Sequence, residues 1–192
     1  VKSPLSAIRG AAELLQEPME EAQRQRFLGN IQRETQRIQE MVDRMLELTA
    51  LETRRVLDAE QSVALLPLLD ELAHASQSVA AKRHVRIQVV ASTDATVEAD
   101  PFLLRRAVSN LLDNALDFSH EGGLVELGLH LEGRWVCITV RDQGAGIPAY
   151  AQDKVFEKFY SLERAHSRKK STGLGLSFVK EIASLHRGRV EL

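Results

Sequence analysis

Ile31, Ile38 and Met45 stand seven residues apart, and Met41 and Leu48 fill the intermediate positions of the same repeat. Apolar residues at such spacing make one stripe along a helix, interrupted only by Glu34, while Gln, Arg and Glu crowd the other faces. A long helix with a single narrow stripe must lay it against something. Upstream, Leu5, Ile8, Ala12 and Leu15 recur three and four apart and predict a shorter helix with one apolar face. Pro18 ends it, because its ring disfavours helix at Glu17. Two antiparallel helices joined by a short turn cannot bury two stripes alone, whereas a pair of such hairpins closes into a four-helix bundle. Residues 1–52 are therefore predicted to form a hairpin that dimerises. A hairpin packed on its own C-terminal half is the competing reading.

Residues 53–62 are polar and read as a linker, and the pattern then changes to mixed α/β over 63–192. Val63 to Leu65 predict a short strand, and Pro67 a helix started in its first turn with Leu68, Leu69, Leu72 and Val79 inward. Val85, Ile87 and Val89 alternate as a strand does. Asp100-Pro101 is an N-cap followed by proline at the first helical position, opening a helix that runs to about Asp117. Val125, Leu127, Leu129 and Val136, Ile138, Val140 alternate on either side of a Glu132-Gly133 turn and predict a hairpin. A glycine-containing loop, a short helix, a polar stretch, a helix from about Gly173 and a last strand over 188–192 complete the expectation. The class is α+β, a helical hairpin followed by an open mixed sheet with helices on one face.

The chain has 192 residues and a formal net charge of -2, a balance that points neither to nucleic acid nor to an anionic membrane. The single cysteine, Cys137, excludes an internal disulfide and suits a reducing compartment. No apolar run approaches the roughly 20 residues that span a bilayer, and no signal peptide opens the chain, so a membrane anchor is expected only in segments upstream of it. Val1-Lys2-Ser3-Pro4 and the final Gly188 to Leu192 both read as interior to a longer protein.

Four short motifs carry chemistry. Asn110 and Asn114 lie four apart on one helical face, where two amide oxygens suit a hard cation such as Mg²⁺; helix-surface residues would look the same. Asp142-Gln143-Gly144-Ala145-Gly146-Ile147 follows an apolar strand. A carboxylate at a strand end can accept a hydrogen bond from an exocyclic amine like that of adenine, although Asp is also a common turn former. Phe156-Glu157-Lys158-Phe159-Tyr160 precedes a polar run, Ser161 to Ser171, that reads as a lid with basic Arg164, Arg168, Lys169 and Lys170. Thr172-Gly173-Leu174-Gly175-Leu176 opens a helix whose backbone amides can attract phosphate, or is simply a flexible helix start.

Each motif alone is weak, but their order is specific. Asn-x-x-x-Asn-Ala, Asp-x-Gly-x-Gly-Ile, Phe-x-x-Phe and Gly-Leu-Gly-Leu on one α/β domain resemble the N, G1, F and G2 boxes of bacterial sensor histidine kinases. Lys2-Ser3-Pro4-Leu5 is similar to the end of that family's H box, His-Glu-x-x-Thr/Ser-Pro-Leu. Asn110 to Ser119, Phe159 to Leu162 and Ile8 to Glu13 look most like the CreC group of these kinases. The resemblance implies a Bergerat-type sandwich that binds ATP and Mg²⁺, and a homodimeric hairpin that docks a response-regulator receiver domain. It implies the cytoplasmic part of an inner-membrane sensor. In it, Asn114 would bind Mg²⁺, Asn110 would support the phosphates and Asp142 would read adenine. Gly144, Gly146, Phe159, Tyr160, Gly173, Leu174 and Gly175 would border the nucleotide. Lys158 would approach phosphate, and Ser3 would take the position that orients water in dephosphorylation, or would be a first-turn cap.

The departures are equally specific. The acceptor histidine of the H box would fall two residues before Val1, and none of the six histidines (74, 84, 120, 130, 166, 186) stands in such a context, so the sequence as it stands is not expected to autophosphorylate at the usual site. Asp117 stands where many relatives carry Lys, Ser161 where many carry Arg, and Lys170 and Ser171 where glycines are common. Two alternatives remain at this point: a chaperone- or repair-type ATPase of the same fold, and a nucleotide-free dimerisation and docking module.

Overall fold

In a computed structural model, residues 2–54, 56–57, 59–162 and 172–192 are described, with backbone alone at 2 and 3. The lid residues Arg164, Arg168, Lys169, Lys170 and Ser171 and the side chain of Ser3 lie outside that set. The chain divides into two compact units, Val1–Ala50 and Leu51–Leu192.

The first unit holds helix α1 (Lys2–Leu14) and most of helix α2 (Glu21–Thr53). Pro4 sits in the first turn of α1, where the missing N–H has no intrahelical acceptor to lose. The helix unwinds where expected, with Gln16 and Glu17 donating to Glu13 and Leu14 in a tight turn ahead of Pro18. The inward face of α1 is rotated from expectation. Ala11 is buried while Leu5 is 52% exposed, so the stripe runs Pro4, Ile8, Ala11, Leu15. The two stripes share Ile8 and Leu15. On α2, Met41 and Leu48 are buried as the heptad predicts, but Met45 is 46% and Leu46 64% exposed. A single copy covers only part of the stripe.

The second unit contains strand β1 (Gln61–Ala64), α3 (Leu65–Lys82), β2 (Arg86–Ala91), β3 (Thr96–Ala99), α4 (Pro101–Phe118), β4 (Leu124–Glu132), β5 (Trp135–Arg141), α5 (Ala149–Gln152) and α6 (Gly175–Leu185). Instead of one open sheet there are two. β1 pairs antiparallel with β3, and β2-β4-β5 form a mixed sheet, parallel across β2/β4 and antiparallel across β4/β5. β3 escapes sequence reading because Thr96-Val97-Glu98-Ala99 carries a single strongly apolar residue; its partner β1 defines it. The expected strand over 188–192 is absent, because those residues enter no ladder among the described strands.

The core lies under the mixed sheet's inner face. Val125, Leu127 and Leu129 of β4 are essentially inaccessible and meet Leu69 and Leu72 of α3 and Leu112 and Leu116 of α4. The alternation expected of β4 is therefore real, and its other residues, Glu126, Gly128, His130 and Glu132, take the opposite face. Val79 is 44% exposed and Ala80 fully buried in its place. Ala80 also anchors the turn into β2, its carbonyl accepting Val85 N–H at 3.0 Å. On the outer face, partial burial and the Glu132 carboxylate raise the Cys137 thiol pKa above its usual value.

Helix α4 starts as the Asp100-Pro101 pair dictates, with Asp100 Oδ1 accepting Phe102 N–H at 3.0 Å and Leu103 N–H at 3.1 Å. Asp100→Ala is expected to lower unfolding free energy by about 1 kcal/mol, and Asp100→Asn, which keeps the acceptor, by much less. Urea denaturation followed by circular dichroism measures both.

Candidate functional site

The sequence motifs converge on α4. Its buried residues, Leu103, Ala107, Val108, Leu112, Ala115 and Leu116, fix one side against the sheet, and Asn110 and Asn114 emerge half-buried on its flank. A Cβ added to Gly175, the first residue of α6, would lie 3.6 Å from Asn110 Oδ1 and 3.8 Å from Asn114 Nδ2. The amide pair therefore abuts the N-terminus of α6. That terminus is preceded by Leu174, whose side chain is wholly buried and offers no capping acceptor. Its first-turn N–H groups have no partner within the helix and suit an anion.

Packing holds α6 antiparallel to α4. The Arg106 guanidinium lies 4.3 Å from the Phe178 ring centroid, a cation–π contact one turn below Asn110. At the far end, His186 Nε2 accepts Asp100 N–H at 3.0 Å, which places its proton on Nδ1, donating to Ile182 O at 2.8 Å. His186 belongs to none of the motifs read from the sequence. Its position just past the last apolar residue of α6 was the available signal.

Gly173 (φ +68°) occupies the left-handed region, and a Cβ there would fall 2.6 Å from Phe159 C and 2.7 Å from Tyr160 O. Phe159 N–H donates to Gly173 O at 2.8 Å, and Ser177 Oγ donates to Phe156 O at 3.1 Å. The Phe156–Tyr160 segment is thus fastened to the start of α6. Phe159 itself is 44% exposed rather than core.

Asp142 follows β5 immediately. Its Oδ1 accepts Gly144 N–H at 2.8 Å, forming an Asx turn. A Cβ on Gly144 would fall 2.3 Å from Phe118 O, so only glycine lets this loop lie on the C-terminal end of α4. Phe118 is four residues, about 6 Å of helix rise, beyond Asn114. Gly146 (φ +71°) completes the turn.

Two expectations take a different form. Lys158 Nζ is paired with Glu52 Oε2 at 2.7 Å, and Asp117 pairs with Arg83, which also donates to Leu116 O at 2.9 Å. Asp117 thus secures the end of α4 to α3 rather than replacing a phosphate contact.

An Asn pair, a glycine-bordered helix N-terminus and an Asp turn thus lie along one helix of an α/β sandwich. Residues 99–192 match the family of histidine kinase-, DNA gyrase B- and HSP90-like ATPases, and residues 1–54 match the His Kinase A (phospho-acceptor) domain. The chain is 42% identical over 194 residues to the sensor protein CreC of Escherichia coli K12, covering all of this chain and 40% of that protein. The solved mycobacterial sensor histidine kinase MprB is 30% identical, with a TM-score of 0.57 over 67% of this chain and 81% of its own. Histidine kinase ThkA, solved in complex with the response regulator TrrA, shares the fold at TM-score 0.73 and 21% identity over 97% of this chain and 52% of its own. The chain belongs to the sensor histidine kinases.

Gly173→Ala and Gly133→Ala share a positive φ, but an added Cβ at Gly133 meets nothing within 4 Å. Gly133→Ala is expected to cost about 1 kcal/mol, and Gly173→Ala distinctly more because Phe159 and Tyr160 must move. Thermal denaturation of the two variants side by side tests the difference.

Proposed function

We propose that this chain binds Mg-ATP at the α4–α6 site and is the core of a kinase that transfers the γ-phosphoryl group to a histidine, from which it passes to an aspartate of a response-regulator receiver domain. The observation that carries the reading is the abutment of Asn110 and Asn114 on the uncapped N-terminus of α6. That arrangement fits a metal–triphosphate. Amide oxygens are hard ligands, the helix N-terminus favours phosphate, and Gly175 leaves open the space a side chain would fill. Bound Mg-ATP supplies the transferable phosphoryl group with its charge partly neutralised. Asn114 would hold the cation and Asn110 support the phosphates. With Oδ1 of Asp142 fixed by Gly144, Oδ2 is the oxygen for an adenine amine, and a guanine carbonyl there would be repelled. Gly144 and Gly146 shape that wall, while Phe159, Tyr160, Gly173 and the Leu174 backbone border the phosphates. Lys158 reaches phosphate only by leaving Glu52, and Ser3 takes the water-orienting position implied by the H box.

Binding of a non-hydrolysable ATP analogue with Mg²⁺ is expected in the micromolar range, about 7–8 kcal/mol. Asp142→Asn, which retains the acceptor for Gly144, is expected to lose it by tenfold or more. Calorimetric titration of both chains decides. Absence of binding by the parent would leave a dimerisation and docking module.

The hairpin is read as the dimer interface and regulator platform, since Met45 and Leu46 are left uncovered on a helix that matches a phospho-acceptor domain. Met45→Glu is expected to shift sedimentation equilibrium from dimer to monomer while the ATP-analogue affinity stays within about twofold. No helix among the described residues is long and apolar enough to cross a membrane. Membership of the sensor histidine kinases supports reading the chain as the cytoplasmic part of a membrane sensor.

A further inference from the structure

The outer face of the mixed sheet carries a group of side chains that the nucleotide site does not use. His130 and Cys137 are direct cross-strand partners in the β4/β5 ladder, and Glu132 pairs with Trp135 two positions on. Because side chains alternate along a strand, His130, Glu132 and Cys137 share one face, the face opposite Val125, Leu127 and Leu129. One ligand atom from each of the three lies within 4.8 Å of the other two, and Cys137 Sγ stands 3.8 Å from Glu132 Oε2.

We propose that His130, Glu132 and Cys137 form a binding site for a borderline divalent cation of the Zn²⁺ class. An imidazole nitrogen, a thiolate and a carboxylate are the donors such an ion selects, and a set this soft disfavours Mg²⁺ and Ca²⁺. Tetrahedral coordination needs donor atoms about 3.5 Å apart, so side-chain rotations of about 1 Å close the set without moving backbone. The backbone is already fixed. Two ligands are ladder partners, and the third is one residue before Gly133, whose φ of +59° makes the tight hairpin turn. Three protein ligands leave one coordination position for water or another donor. The site is separate from the nucleotide, because Cys137 is five strand residues, about 17 Å, from Asp142 at the other end of β5. A cation there ties the turn end of β4 to β5. Trp135, with the Arg134 guanidinium 5.3 Å from its ring centroid, stands beside it as a natural reporter.

The test uses this chain without added nucleotide. Co²⁺ titration is expected to give one equivalent of binding with an intense thiolate-to-metal absorption band, and Zn²⁺ to displace it while changing Trp135 fluorescence. Cys137→Ser and His130→Ala are each expected to abolish the band and to weaken Zn²⁺ affinity, measured by chelator competition, by about 100-fold or more. Glu132→Gln is expected to weaken it less. Melting temperatures of the metal-free variants, and their ATP-analogue affinity, confirm that each has folded. A parent chain that shows no charge-transfer band overturns the proposal, as does Zn²⁺ binding that survives either Cys137→Ser or His130→Ala in a folded protein.

Discussion

Everything in the second unit depends on how α4 divides its surface. Leu112 and Leu116 are almost fully buried against the strand that carries Val125 and Leu127. That burial, at about 25 cal/mol for each Å² of apolar surface removed from water, fixes the helix's rotation about its axis. Once rotation is fixed, the positions of Asn110 and Asn114 are fixed with it, because residues 100° apart on a helix cannot turn independently. The same helix offers its C-terminal carbonyl face to the Asp142 loop and its N-terminal cap to His186. The asparagine pair is thus attached to an element that cannot rotate without opening the core.

The two ends of α4 are secured differently. Asp100 caps two of its own helix's N–H groups while its backbone N–H goes to His186, so one residue links the start of α4 to the end of α6. At the other end Arg83 binds both a helix-end carbonyl and Asp117. Between these anchors the Arg106–Phe178 contact holds α6 at a set height. The amide groups at Gly175 therefore stand level with the asparagines through packing alone, before any ligand contributes.

Local chemistry was legible in the sequence where one residue type has one physical job. Asp100-Pro101 announced a capped helix, and the alternation in β4 announced its buried face. What could not be read depends on partners distant in sequence. The α1 stripe was placed one residue off because Ala11 and Ala12 are identical residues, so only what packs on the helix decides between them. Val79 was assigned inward, whereas Ala80 is the buried residue at that end of α3. β3 is defined by β1 across more than thirty residues, and nothing in Lys158 foretells Glu52. His130 and Cys137 are seven apart, and only the hairpin register makes them neighbours.

The junction of Phe159 with Gly173 has a consequence for chain length. The two residues are held together by a backbone hydrogen bond and by a glycine too small to push them apart. Joining two points of a chain carries an entropy cost that grows only with the logarithm of the length between them, about 0.6 kcal/mol for each doubling. The start of α6 is therefore expected to keep its place when the number of residues between Phe159 and Gly173 is changed.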